Sequence, residues 1–172
     1  MSDATIRLPE DVLIGYCTNV HAGQSVREVV DNLETYAVPI RLRLGRERPL
    51  PVGLWLPASA AEGLSDPDAV AALRDDLAAM NLLPFTFNGF PYGDFHQDSV
   101  KREVYRPHWG DERRVTYTKQ LVDILAGLLA DDDEGSISTL PIGWPDDFPD
   151  AASLEAAAAN LLAVLAHCAS VE

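Results

Sequence analysis

The side chains of this chain best able to do chemistry follow short apolar runs. Val12-Leu13-Ile14-Gly15-Tyr16 leads into Cys17-Thr18-Asn19-Val20-His21. Leu82 to Phe87 leads into Asn88-Gly89-Phe90-Pro91-Tyr92-Gly93-Asp94-Phe95-His96, and Ser136 to Leu140 leads into Pro141-Ile142-Gly143-Trp144. A strand that runs into a loop of Gly, Pro, aromatic and imidazole groups is how a site is built at a strand's C-terminal end. Three such ends meet only if their strands are parallel neighbours.

Each residue type sets what it can do there. The His21 imidazole can bind a metal or carry a proton near neutral pH; its plainer role is to bond backbone and hold the loop it shares with Asn19. The Asn88 amide both donates and accepts. It can orient a polyol or carbonyl, and Asn-Gly is also a favoured turn pair; the two roles are compatible. Arg106 can clamp a phosphate or carboxylate. Tyr92, Phe95, Tyr105 and Trp109 can stack on a ring or sugar face, although for most of them pinning the loop to the body is the stronger reading. The spacing of His96 and His108 is not a zinc signature. Asp94 and Glu103 can act as acid or base, but no sequence motif couples them. There is no nucleophile elbow, phosphate cradle or two-histidine metal helix. The residues support a pocket for a small polar molecule bound by His21, Asn19, Asn88, Tyr92, His96, Arg106, Ser138 and Trp144, and they assign no catalytic or metal-ligating residue.

The elements that position these residues are legible from local signals. Ser25-Val26-Arg27-Glu28 reads as a capping box, followed by Val26, Val29, Val30, Leu33 and Ala37 at helical spacing until Pro39 bends or restarts the segment. Arg41 to Arg48 closes it, with cations at the negative end of the helix dipole. Val52 to Leu56 is a strand between two prolines. Asp66 and Pro67 open a second helix with Val70, Leu73, Leu77 and Met80 on its apolar face. Asp111 caps a third, striped by Val115, Val122, Leu125 and Leu129, with Leu121 and Leu128 beside it. A last Ala-rich helix, 154–166, is expected to bury Leu154, Ala158, Leu161 and Leu165. Strand and helix alternate four times, which predicts an α/β protein with a parallel sheet in a single domain over residues 1–172. The sheet is either doubly wound or part of an eight-stranded barrel, which takes about 250 residues when complete.

Composition narrows the function classes. A net charge of −14 argues against nucleic acid. No continuous apolar run approaches the roughly 20 residues of a membrane span, and the N-terminus lacks a signal core, so a cytoplasmic chain without direct membrane insertion is expected. Cys17 and Cys168 form no metal or disulfide framework, and Cys17 is expected to be a small buried residue. The acidic runs Asp131-Asp132-Asp133-Glu134 and Asp146-Asp147 read as a solvated helix end and loop.

Gly15 to Gly23, Asn88 to Gly93, the Val-Tyr-Arg-Pro core within Val100 to Trp109, and Gly135 to Trp144 together resemble the EboE metabolite-traffic proteins. Those in turn resemble the xylose isomerase-like, or sugar phosphate isomerase/epimerase, TIM barrels. The resemblance spans about residues 12 to 170 and implies the N-terminal half of such a barrel, about four of its eight (βα) units. It implies a metabolite-binding role, partner proteins encoded in the same gene cluster and, in full-length relatives, a divalent metal held by His, Glu and Asp at strand ends. The carboxylate ligands that belong to later strands are absent here, so isomerase activity ranks second and a scaffold for cluster partners third. Four strands do not close an ordinary barrel, which predicts self-association through apolar edges and an uncovered half-core, or pairing with a missing C-terminal half.

Overall fold

The computed structural model describes residues 14–45, 48–96, 101–131, 133–148 and 150–171. Its sheet has four parallel strands in the order β1 (Tyr16–Cys17), β2 (Leu50–Leu54), β3 (Leu82–Asn88) and β4 (Ser136–Ser138). Each crossover moves to the next strand and the order never reverses, whereas a doubly wound sheet requires a reversal. Of the first expected strand, Val12 and Leu13 lie outside the described residues.

The crossovers form where the caps specify them. The Glu28 amide donates to Ser25 Oγ and the Ser25 amide to Glu28 Oε2, so the capping box closes and α1 (Val26–Asn32) begins. Pro39 does not end this segment. It passes through a π-helical turn, Leu33–Ala37, into α2 (Val38–Arg43). Proline cannot donate to the ladder. Immediately before it, the Val38 amide reaches back five residues to the Leu33 carbonyl, so the ladder widens by one residue and continues. Asp66 accepts from the Asp68 amide to start α4 (Pro67–Ala79), and Asp111 accepts from the Arg113 amide to start α5 (Glu112–Leu128). A short helix not read from the sequence, α3 (Ala58–Glu62), follows β2. Five residues carry too little periodicity to announce themselves.

One face of the sheet holds the core. Leu50, Val52, Leu54, Leu82 and Phe87 pack with Val29, Leu33, Leu73, Leu77, Leu121, Ile124 and Leu125 in one buried cluster. The register slips between Val52 and Gly53, placing an extra residue of β3 between Pro84 and Thr86. That bulge changes which positions of β3 point inward: Leu82 is buried before it and Phe87 after it.

The opposite face is of two kinds. Near β1 and β2, Gly15 lies against the Phe85 ring and the Pro51 carbonyl so closely that a Cβ there would sit 2.5 Å from the ring. Near β4 the face is polar. Ser136 Oγ donates to Thr86 Oγ1 at 2.8 Å, and Ser138 Oγ donates to Asn88 Oδ1 at 3.1 Å. An uncovered half-core is expected to be apolar, but this stretch presents hydroxyls and an amide because β4 alternates Ser-Ile-Ser and turns only Ile137 toward the core.

Three expectations need correction, two about the C-terminal helix and one about Cys17. The last helix, α6, runs from Ala151 to Val171, and by length and composition it is apolar enough to cross a membrane. Ser153, Glu155, Asn160 and His167 interrupt any continuous apolar run here, while the many alanines and leucines keep the mean hydropathy high. Its buried face is Ala157 and Val164, with Leu161 and Cys168 partly covered, while Leu154 and Leu165 are exposed. The apolar arc of α6 is wider than the strip α5 covers, and contact with α5 rather than the centre of the arc decides which residues are buried. Cys17 is exposed, not buried, since β1 is the edge strand.

Candidate functional site

The loops after β1, β2 and β3 lock together around Trp55, immediately past β2. Its backbone amide donates to Thr18 Oγ1 at 2.9 Å and its indole Nε1–H to the Pro91 carbonyl at 3.0 Å. Phe95 meets the indole edge-on at 4.9 Å between centroids, and the His96 ring lies 5.4 Å away. His96 in turn bridges two loops, with Nε2 2.8 Å from the Asn19 carbonyl and Nδ1 3.2 Å from Asp94 Oδ1. A loop from each of three adjacent strands is thus fixed at one end of the sheet.

His21 sits in the same place. Tyr16 Oη lies 2.5 Å from His21 Nε2, and the imidazole stacks on Tyr36 with 3.9 Å between ring centroids and an 8° interplanar angle. Burial, then the neighbouring His96, pulls the His21 pKa below its ordinary value. Burial, then Tyr36 and Cys17, raises that of Tyr16. Both shifts favour the neutral pair, in which the phenol donates to an unprotonated Nε2. A cavity of about 10 Å³ lies between Thr18, His21, Gly23, Val29, Asn32 and Trp55, at the limit of room for one water. Next in the chain to Thr18, Asn19 Oδ1 is buried with no hydrogen-bond partner.

Of the other residues read from the sequence, Asn88, Ser138, Arg106 and Trp144 fall into two further groups at the same ends of the strands. Asn88 Oδ1 accepts from the Phe90 amide and from Ser138 Oγ, which joins the ends of β3 and β4. Its turn role is therefore realised, with Ser138 as its partner. Beyond them the connections after β3 and β4 zip together. Arg106 pairs with Asp147 at 2.6 Å, Arg102 pairs with Asp146 and covers Trp144, and Tyr105 meets Trp144 edge-on. The ion partner of Arg106 is thus a carboxylate of this chain.

Tyr92 stands apart. It packs edge-on against Tyr117 beside the fully buried Arg114. Arg114 donates to three carbonyls, those of Pro107, Gly89 and Phe90, and so fastens the start and end of the long third loop to α5. Burial lowers its pKa to about 10, which leaves it charged at neutral pH. Tyr117 donates to the Leu56 and Pro91 carbonyls, and burial pushes its pKa up.

Tyr16, Tyr36, Trp55 and Arg114 are the residues sequence reading did not single out. Trp55 had a signal, as an aromatic at a strand end before proline, like the three loops already noted. Arg114 had none. A groove of about 510 Å³ lies elsewhere, on the helix layer between Pro67, Val70 and Arg74 of α4 and Asp123 and Gly127 of α5. None of the sequence-read site residues lines it.

No protein-family model, curated protein or solved structure matches this chain. The divalent metal implied by the isomerase resemblance can be tested on the donor set. Among the described residues no three His, Cys, Asp or Glu side chains converge. His21 faces a phenol, and both ring nitrogens of His96 face oxygens of the chain itself. These residues do not fit a metal.

Proposed function

We propose that this chain binds a small polar metabolite at the C-terminal ends of its strands, as a half-barrel relative of the EboE metabolite-traffic proteins. The observation that carries this reading is the strand-end cluster: loops from three adjacent parallel strands fixed around Trp55, with His21, His96 and a buried, unpaired Asn19 Oδ1 among them. A buried acceptor without a partner costs about 1–3 kcal/mol, a cost a donor from a ligand hydroxyl or amine would remove. The enclosed space holds at most a water, so a metabolite would lie across the strand ends, toward Asn88 and Ser138. Sugar-isomerase chemistry is the weaker reading because the donor set does not suit a metal.

The test is an NMR titration with sugar phosphates and the corresponding free polyols. Saturable shifts at the Asn19, His21 and Trp55 indole resonances are expected, and Asn19→Ala should weaken them while the protein stays folded. Shifts confined to the groove between α4 and α5, or none with either class, would reject the strand-end site.

A further inference from the structure

The exposed large apolar side chains are not scattered. Among the described residues they are Ile14 and Val20 beside β1, Tyr36, Leu42 and Leu44 on the first crossover, Ile142 and Trp144 after β4, and Leu154, Leu162, Leu165 and Val171 on α6. The units of β2 and β3, with α3, α4 and α5, contribute none. In a layer of consecutive strand–helix units, an inner unit has a neighbour on each side and an outer unit on only one. The apolar surface therefore lies on the two units that each lack a neighbour.

From this we infer that two copies of the chain close against each other, β4 and α6 of one copy meeting β1 and the first crossover of the other, twice about a two-fold axis. This rests on strand order and surface, not on the metabolite reading. Consecutive parallel order is what makes such closure feasible: a two-fold along the barrel axis sets the β1 edge of a second copy parallel to the β4 edge. Two copies bring eight strands, the number at which a parallel barrel fills its interior with side chains. Because the two-fold repeats the β4–β1 contact, the assembly is closed and leaves no free strand edge.

Charge favours a second copy as the occupant. At the N-terminal ends of the strands, the first crossover ends in Arg41 and Arg43, with Arg48 before β2, and the last unit begins with exposed Asp131, Asp133 and Glu134 before β4. In the two-fold arrangement the basic end of one copy faces the acidic end of the other. Within one chain these groups flank opposite edges of the sheet. A membrane is the weaker occupant because α6 is bonded to the body: Asn160 Nδ2 donates to the Trp109 carbonyl at 2.8 Å, and His167 pairs with Asp123 at 2.6 Å.

The native Cys17, exposed on β1, makes the arrangement testable. Adjacent strands lie about 4.8 Å apart, within the span of a disulfide. In a Cys168→Ser background, Ser136→Cys and Ser138→Cys are each oxidised mildly, with and without Cys17→Ser. We expect the wild type to sediment at twice 18.7 kDa at micromolar concentration. At least one β4 cysteine should give a covalent dimer that is lost with Cys17→Ser. Leu162→Glu with Leu165→Glu, at positions already exposed, should halve the sedimenting mass and leave the circular dichroism unchanged; if that pair unfolds, the cross-link alone decides. A wild-type monomer, a dimer that neither β4 cysteine cross-links, or a monomer that floats with phosphatidylcholine–phosphatidylglycerol vesicles would each overturn the inference, the last in favour of a membrane.

Discussion

The middle and the ends of this sheet are built differently. Around β2, β3, α4 and α5 the side chains are interlocked: Arg114 and Tyr117 occupy five backbone acceptor positions between them, and Leu121, Leu73 and Leu77 are essentially solvent-free. Around β1 with its crossover and β4 with α6, strands are two or three residues long and leucines face solvent. Burial of apolar area stabilises at about 25 cal/mol per Å², so the middle supplies most of what holds the monomer together. The ends add less: Val29, Val30, Leu33 and Ala37 of the first crossover join the core, and of α6 only Ala157 and Val164 are buried. The strand-end cluster straddles the two regimes, with Trp55 and the β3 loop anchored in the middle and Asn19 and His21 on the edge strand.

The largest effect is expected where the middle holds its loops. Arg114→Ala would leave the Pro107, Gly89 and Phe90 carbonyls without their donor in a buried setting. The expected loss is about 3–5 kcal/mol, read as the shift of the urea midpoint. Arg114→Lys keeps the charge but not the three-way fork, so it should recover only part of the loss. If Arg114→Ala cost no more than an exposed substitution, the claim that the middle is the stable region would fail.

A matched pair of leucines compares the regions directly. Leu121 is 0% exposed and Leu162 is 64% exposed, each on a long helix. Leu121→Ala is expected to cost about 2–5 kcal/mol, and Leu162→Ala less than about 0.5 kcal/mol when the protein is dilute and monomeric. Equal losses would erase the distinction. A Leu162 loss that appears only as protein concentration rises would sharpen it, since it would locate that leucine's role in association.

What could be read from the sequence follows the same division. Caps are local chemistry, so Ser25, Asp66 and Asp111 were legible, and so were the three strand ends with their Gly, Pro and aromatic loops. Arg113 and Arg114 are indistinguishable by type and adjacent in sequence. One is 69% exposed and pairs with Asp111, and the other is fully buried, because only the folded third loop brings carbonyls to the second. The buried strip of α6 was misplaced for a related reason. Periodicity gives the apolar arc, but the neighbouring helix decides which part of it is covered. The π-helical turn before Pro39 could be read only as a bend.

A smaller effect comes from Tyr117. Its hydroxyl donates to the Leu56 and Pro91 carbonyls at 2.7 and 3.2 Å, tying the end of β2 to the third loop. Tyr117→Phe keeps the ring against Tyr92 and removes only the donor. A loss of about 1–2 kcal/mol is expected, with broadened amide resonances at Pro91-flanking residues. No change in stability would mean that water replaces the hydroxyl, and that this junction is less dry than its burial implies.

The smallest effect is a pH dependence at the edge, from His21. Its pKa in the fold lies below its ordinary value, first through burial and second through His96; Tyr16 and Tyr36 are the other titratable groups that face it. The unfolded chain therefore binds the His21 proton more readily than the fold does. The resulting stability is fully present above the ordinary histidine value of about 6.5 and is lost as pH falls from there through the lower folded value. His21→Phe keeps the stack on Tyr36 and removes the titration, so the difference in stability between wild type and variant should favour the variant increasingly below neutral pH. In an NMR titration the His21 ring midpoint should lie below that of an exposed histidine. His96→Gln should raise it only partway, because burial is the larger cause and survives the substitution. Full recovery would assign the shift to the charge of His96 and leave burial no part. A midpoint at or above the ordinary value would mean that Tyr16 does not meet an unprotonated Nε2, and that the edge of the strand-end cluster is open to water.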